Sequence, residues 1–378
     1  MTTSSDNTAR PHLAYLDGLR ALAAFWVVLS HLWISQFGLP AHSGLLGLAT
    51  NWTLYSHFAV DIFIVLSGYC LMLPVTRDNG LRGGASKFYK RRARRILPPF
   101  YAALLFSIFA SLLLRILARQ PVNVDPHALL ANVLLIQDLS PKWNIFNGPF
   151  WSIAVEWRIY FLFPMMVWVA ARWGQAPLLT LSALAGYGLT WPLLAYHSEM
   201  SQASPWYLPL FTLGVCAASE GGLHLKNAAG WAAGLSGLSL AALLYLHPVT
   251  LQNGADFGRY MPITDGALGV FCASALALLS RHELASGIRT ALSWHPLATL
   301  GTFAYSFYLV HMPCILILNN RLNYEWPALT PFQRFGLLAA LGLPLILALS
   351  YLFFLAFERP FLTRPAASSR IDAGKYAW

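Results

Sequence analysis

Charged residues are scarce in this chain. They make up 11% of its 378 residues, against about 25% in an average soluble domain. With 57% of the residues hydrophobic, that scarcity excludes a water-soluble fold. Cysteine is equally sparse. Cys70, Cys216, Cys272 and Cys314 all fall inside apolar stretches, and no short paired spacing suggests a zinc site or a redox disulfide, so they are expected to be packing residues. No small-residue cleavage site follows the first apolar stretch, which is longer than a signal-peptide core and contains Arg20 and His31; it is expected to stay in the mature protein. Long linkers, polar low-complexity tracts and internal repeats are missing too. One transmembrane domain over 13–360 is expected, with a disordered cytoplasmic N-terminus at 1–12 and a cytoplasmic tail at 361–378.

Long apolar runs, by contrast, are everywhere. Stretches of about 20 residues, enough to cross a hydrocarbon core of about 30 Å, recur from Leu13 almost to the C-terminus. They predict an all-α integral membrane protein with ten spans: Leu13–Ser35, Leu54–Thr76, Leu97–Ala118, Gly148–Ala171, Pro177–His197, Ser204–Ser219, Ala228–His247, Pro262–Ser280, Pro296–Leu318 and Gln333–Phe357. An eleventh run, Ala128–Leu139, is too short to cross and is expected to be re-entrant or interfacial.

Lys and Arg exceed Asp and Glu by 25 to 15. In a soluble protein that excess would invite a nucleic-acid partner; here its distribution carries the information. With both termini cytoplasmic, 17 of the 25 basic residues fall in inner segments, five in outer loops and three within spans, and positively charged loops tend to stay cytoplasmic. Both termini are therefore expected inside, with membrane lipids as partners and no nucleic acid.

Ionisable groups within a span cost at least a few kcal/mol near its centre on insertion scales, so each needs an explanation. The informative ones are Arg20, His31, Asp61, Glu156 and His311. At 1.5 Å per residue, His31 lies about 6 Å from the outer end of its span and the other three outer-half groups roughly 10 to 12 Å inside it. Histidine and carboxylates at one depth suit a general-base site, because a carboxylate orients an imidazole and stabilises its protonated form. The alternative is a set of separately hydrogen-bonded groups that hold helices together. Arg20 and His31, eleven residues apart, share one face of the first helix about 16 Å apart; Arg20 either contacts an anion or snorkels and pairs with Asp17. The segment KFYKRRARRILPPFY from Lys87 places six basic residues in nine positions. It reads as a topogenic, lipid-binding signal and also as a phosphate-binding one, through charge-assisted bidentate hydrogen bonds.

Together these segments resemble the membrane acyltransferase family 3, whose members acylate surface polysaccharides, peptidoglycan, lipopolysaccharide and some small molecules. YLDGLRALAAFWVVLSH resembles the family's first-helix signature through Arg20 and His31. AVDIFIVLSGY, with Asp61, Ser67 and Gly68, is similar to the second-helix motif, and KRRARRILPPFY to the basic loop entering the third helix. FWSIAVEWRIYFLFP resembles the Trp-Ser segment leading to a glutamate, here Glu156, and LGTFAYSFYLVHMP and FERP look like the two C-terminal motifs. The matches run in order from Tyr15 to Pro360. Where the family often has a second carboxylate and a glutamine, this chain has Trp157 and Arg158. Many relatives also carry an extracytoplasmic hydrolase-like domain; this chain is expected to complete the transfer alone or with a separate partner.

The resemblance implies an O-acyltransferase of a bacterial inner membrane that uses acetyl-CoA or another acyl-CoA as donor, without a metal. Its implied acceptor is a hydroxyl of a carbohydrate or lipid-linked glycan at the outer side. It implies His31 as general base or transient acyl carrier, Glu156 or Asp61 as its orienting carboxylate, and Arg20, Arg91, Arg92 and Arg95 as donor-binding residues. Ser152, Ser306 and Tyr305 are candidate donors to the developing oxyanion. The rival from another class is a secondary transporter or flippase, since intramembrane charges also mark substrate paths. A non-catalytic scaffold is a third reading.

Overall fold

With no water in the hydrocarbon core, each backbone N–H and C=O of a spanning segment must be satisfied within the protein, which favours helices for apolar runs of this kind. In the computed structural model the described residues are 13–38, 42, 44–142, 144–196, 203–219, 234–242, 257–280 and 285–362, and their regular structure is all helical. In chain order the helices are α1 Ala14–Phe37, α2 Gly44–Thr50, α3 His57–Arg77, α4 Gly84–Leu117, α5 Pro126–Val133, α6 Phe150–Trp173, α7 Gln175–Tyr196 and α8 Tyr207–Ala218. After an unlabelled helical stretch at 234–242 come α9 Phe257–Leu279, α10 Ser286–Leu292, α11 His295–Thr302 and α12 Ala304–Glu325. The last, α13, runs over Pro331–Phe361.

Six of these helices are long and apolar enough to cross a membrane, and seven if α11 and α12, bent by 73° at Phe303, are taken as one span. The expected count of ten is thus met only in part. The Ser204–Ser219 run forms a helix of 12 residues, about 18 Å long and too short to cross about 30 Å of hydrocarbon. The Pro296–Leu318 run is a broken helix rather than a straight one. The span expected at Ala228–His247 lies largely outside the described residues, as do the N-terminal segment 1–12 and all but the first two residues of the tail 361–378.

Two features set the frame of the site. First, α3 lies along α8 at a distance that only glycine permits. A Cβ at Gly68 would stand 2.1 Å from the Phe211 carbonyl oxygen, and one at Gly214 2.0 Å from the Val65 carbonyl oxygen. Small residues at such crossings let backbones pack where the hydrophobic effect does not drive association. Second, α4 has 34 residues and is about 51 Å long, so its basic N-terminal part extends beyond a hydrocarbon core of about 30 Å. The run Ala128–Leu139 is a short helix and a single 3-10 turn. It is fastened to α6 by Arg158, whose Nη1 donates to Asp138 Oδ1 at 2.7 Å and whose Nη2 donates to Oδ2.

Candidate active site

His31 on α1 and His311 on α12 meet. His311 Nε2 lies 3.1 Å from His31 Nδ1, with the rings stacked at 5.1 Å between centroids and 26° between planes. On its other side, His311 Nδ1 lies 2.6 Å from the Tyr308 carbonyl oxygen. A carbonyl only accepts, so His311 Nδ1 carries the hydrogen, and in the neutral ring its Nε2 keeps a lone pair. His31 Nδ1 then donates to that lone pair, which leaves His31 Nε2 as an unprotonated nitrogen. The Val27 carbonyl, one turn earlier on α1, is a second acceptor beside the same ring and shares its one N–H.

Neither expected carboxylate reaches His31. Among the described residues no acid pairs with either imidazole, which corrects the expectation that Glu156 or Asp61 orients the ring. The reasons lie in helix faces. Asp61, Val65 and Gly68 form one stripe of α3, and that stripe packs on α8. Asp61 is accordingly buried against Asp265 of α9 and Tyr207 of α8. Asp265 in turn accepts from Trp206 Nε1 at 2.7 Å and lies 3.2 Å from His57 Nε2. On α6 it is Ser152, one turn before Glu156, that reaches α12, with its hydroxyl 2.8 Å from the Tyr308 hydroxyl.

Glu156 belongs instead to a layer of arginines. It accepts from the Tyr160 hydroxyl, which also lies 2.7 Å from Ser67 Oγ, and both Glu156 and Tyr160 face Arg92. Arg95 faces Arg92, Glu358 and Arg20. Arg20 pairs with Asp17 at 2.7 Å and donates to Cys70 Sγ at 3.0 Å, so the pairing with Asp17 and a place in the anion-binding layer are both realised, and Cys70 is more than a packing residue. Phe88, Arg92, Ile96 and Pro99 define the inward face of α4, with Phe88, Ile96 and Pro99 buried at helical spacing. Arg91, at the edge of this face and half-buried like Arg92 and Arg95, donates to the Arg82 carbonyl at 3.2 Å. Of the four expected donor-binding arginines, Arg20, Arg92 and Arg95 share the charged layer, while Arg91 is tied to the Arg82 carbonyl. Arg92 Nε is buried with no hydrogen-bond partner.

The candidate oxyanion donors are engaged elsewhere. Ser306 N and Oγ donate to Glu358 at 3.2 and 2.5 Å, the Tyr305 hydroxyl donates to the Ile96 carbonyl at 3.2 Å, and Ser152 and Tyr308 share the Pro149 carbonyl. Two further acids belong to these layers: Glu358, in the FERP segment, and Asp265, an acid inside an expected span. Asp265 carried the intramembrane-charge signal, whereas Glu358 stands one residue past the end of the last expected span. Arg158 binds Asp138, whose carboxyl is pushed above its ordinary range by burial while Arg158 works against that shift.

The family model described as acyltransferase domain matches residues 13–355. The chain is similar to peptidoglycan O-acetyltransferase OatA of Listeria monocytogenes, 25% identical over 84% of this chain and 52% of that protein. It is also similar to acyltransferase MdmB of Streptomyces mycarofaciens, 27% identical over 80% of this chain and 79% of that protein. The chain thus spans about half the length of the first relative. No solved structure matches it.

Proposed function

Because the chain belongs to the acyltransferase family whose model it matches over residues 13–355, and is an enzyme of that class, we propose that it moves an acetyl group from acetyl-CoA, or another acyl group from its acyl-CoA, to a hydroxyl of a carbohydrate or lipid-linked glycan. The protein is multi-pass; in the proposal it sits in a bacterial inner membrane with both termini in the cytoplasm and the acceptor at the outer side. The observation that carries the proposal is the histidine pair. One nitrogen of His31 is committed to His311, and the other is left with its lone pair for a substrate proton.

In this mechanism His31 Nε2 removes the acceptor hydroxyl proton as the oxygen attacks the thioester carbonyl. The tetrahedral intermediate collapses, the carbon–sulfur bond breaks, and the thiolate takes the proton back from the imidazolium. A new ester and a free thiol result. His311 is a positioning residue: its lone pair and the Tyr308 carbonyl behind it hold the His31 tautomer and stabilise the ring when it is protonated. A neutral acceptor relay thus does what a carboxylate does in a Ser-His-Asp triad. Transient acylation of His31 Nε2 is a second route through the same nitrogen.

Arg20, Arg92 and Arg95 supply a positive layer for the phosphates of the donor or for its thioester end, and Arg91, beside the Arg82 carbonyl, meets phosphate at the mouth. Glu156 and Glu358 keep these guanidiniums from repelling one another in a poorly solvated interior. Asp61 anchors α3 to α8 and α9. The test uses the purified chain in lipid bilayers with acetyl-labelled coenzyme A and a glycan acceptor. Acceptor-dependent release of coenzyme and label held on the glycan as a base-labile ester are expected. Coenzyme release that ignores the acceptor, with the label found only as free acetate, contradicts the reading.

A further inference from the structure

Past His311, on the side away from the basic part of α4, α12 borders a cavity of about 330 Å³ that begins at Met312. Its polar lining comes from Ser107 and Arg115 of α4, Gln120, Asn144 and Asn147 of the connections, and Asn320 of α12. Asn147, only 1% exposed, holds the centre of this wall. Its Nδ2 donates to Ser107 Oγ and to the Leu309 carbonyl, each at 3.0 Å. Both donor hydrogens of the amide are thereby used, and the flip that would exchange N and O is ruled out by the carbonyl. The Asn147 Oδ1 that remains is buried with no hydrogen-bond partner, and an unsatisfied buried acceptor costs about 1 to 3 kcal/mol. A hydroxyl donor entering the cavity removes that penalty.

The rest of the wall narrows the ligand. Amides and hydroxyls both give and accept hydrogen bonds, which matches a ring of hydroxyl groups, and the apolar side chains Phe146 and Leu316 offer surface for sugar C–H faces. The volume lies at the lower end of the ~300 to 1,000 Å³ of small-ligand sites, so it fits one sugar unit rather than a strand. Arg115 is the charged residue of this lining, and no acid accompanies it among the described residues; its Nη1 donates to the Pro121 carbonyl at 3.4 Å. We propose that this cavity is the acceptor subsite and that it takes a pyranose unit bearing a carboxylate. A ring hydroxyl donates to Asn147 Oδ1 and the carboxylate meets Arg115. Through the Leu309 carbonyl, two residues before His311, Asn147 ties the sugar's position to the histidine pair. The inference rests on the acyl-transfer reading for its reaction but not for its binding.

Binding without donor separates the two. The full chain in lipid nanodiscs is titrated with a glucuronate-containing oligosaccharide and with the same oligosaccharide after reduction of its carboxyl, by calorimetry. The acid form is expected to bind more tightly, and Arg115→Gln to weaken it by about tenfold, the scale of one charge-assisted hydrogen bond, while leaving the reduced form unchanged. Asn320→Ala is expected to weaken both. Equal affinity for the two probes, no binding to the wild-type chain, or variants that bind as the wild type does would overturn the cavity as acceptor subsite. A chain that binds the acid probe in this pattern but transfers no acetyl group leaves the subsite standing and overturns the reaction instead.

Discussion

Arg20 and His31 ride on one helix, about 16 Å apart along its axis, yet the surroundings of the two are opposite in kind. Around Arg20 the protein gathers charge: Asp17, Arg92, Arg95, Glu156 and Glu358 contribute to one layer. Around His31 no charged group pairs with the ring among the described residues, and the ring is oriented by another imidazole and by backbone carbonyls. A buried anion beside His31 would hold a proton on the ring and weaken it as a base at rest. The neutral relay avoids that while still fixing which nitrogen is free. In the proposed mechanism, electrostatic capture of an anionic donor and proton transfer are thus kept in separate layers of the same bundle.

That division is open to direct attack. The largest effect is expected at His31: His31→Ala should lower the transfer rate by about 10² to 10⁴, the usual range for a general base, with coenzyme A affinity unchanged in an equilibrium binding measurement. Loss of both together would merge the layers that the structure keeps apart. Next, His311→Leu should cut kcat by about ten- to a hundredfold, since one orienting hydrogen bond is worth about 1.5 to 3 kcal/mol, while KM for the donor stays put. His311→Gln, which can still accept from His31 Nδ1, should recover part of that loss; equal rates for the two variants would make His311 a packing residue.

A smaller effect is expected in the charged layer. Arg92→Gln with Arg95→Gln should raise the donor KM by about tenfold and leave kcat nearly intact, and Arg91→Gln should change donor KM far less, because its side chain faces the Arg82 carbonyl. A larger effect from Arg91 would move the donor toward the Arg82 carbonyl. The smallest effect on turnover belongs to the Asp138 and Arg158 pair. Arg158→Met leaves a buried carboxylate unpaired and should lower stability by about 1 to 3 kcal/mol, read by thermal unfolding in detergent, with kcat unchanged.

Most of the helices were legible because an apolar run of about 20 residues has few alternatives in a bilayer. Span count was not, since length and hydropathy cannot show that the run around Trp206 yields a helix of 12 residues, or that Phe303 breaks another. At the site, His31, Arg20 and Glu156 were visible as costly polar residues in lipid. Their partners were not. Sequence position fixes depth along a helix but leaves its rotation free, so Asp61 and His311 looked equally placed to meet His31. Packing of the Gly68 stripe on α8 turns Asp61 toward Asp265 and leaves His311 as the neighbour. The inward turn of Arg92 and Arg95 could have been read from the buried spacing of Phe88, Ile96 and Pro99.

The central claim is that the His31 lone pair sits on Nε2 because Nδ1–H is held by His311. Nitrogen-15 solid-state NMR of histidine-labelled protein in bilayers at neutral pH, assigned by comparison with His31→Ala, reads the tautomer directly. A protonated Nδ1 and an unprotonated Nε2 on His31, lost to a mixture of tautomers in His311→Leu, is the predicted result. An unprotonated Nδ1 on His31, or a tautomer indifferent to His311, would contradict it.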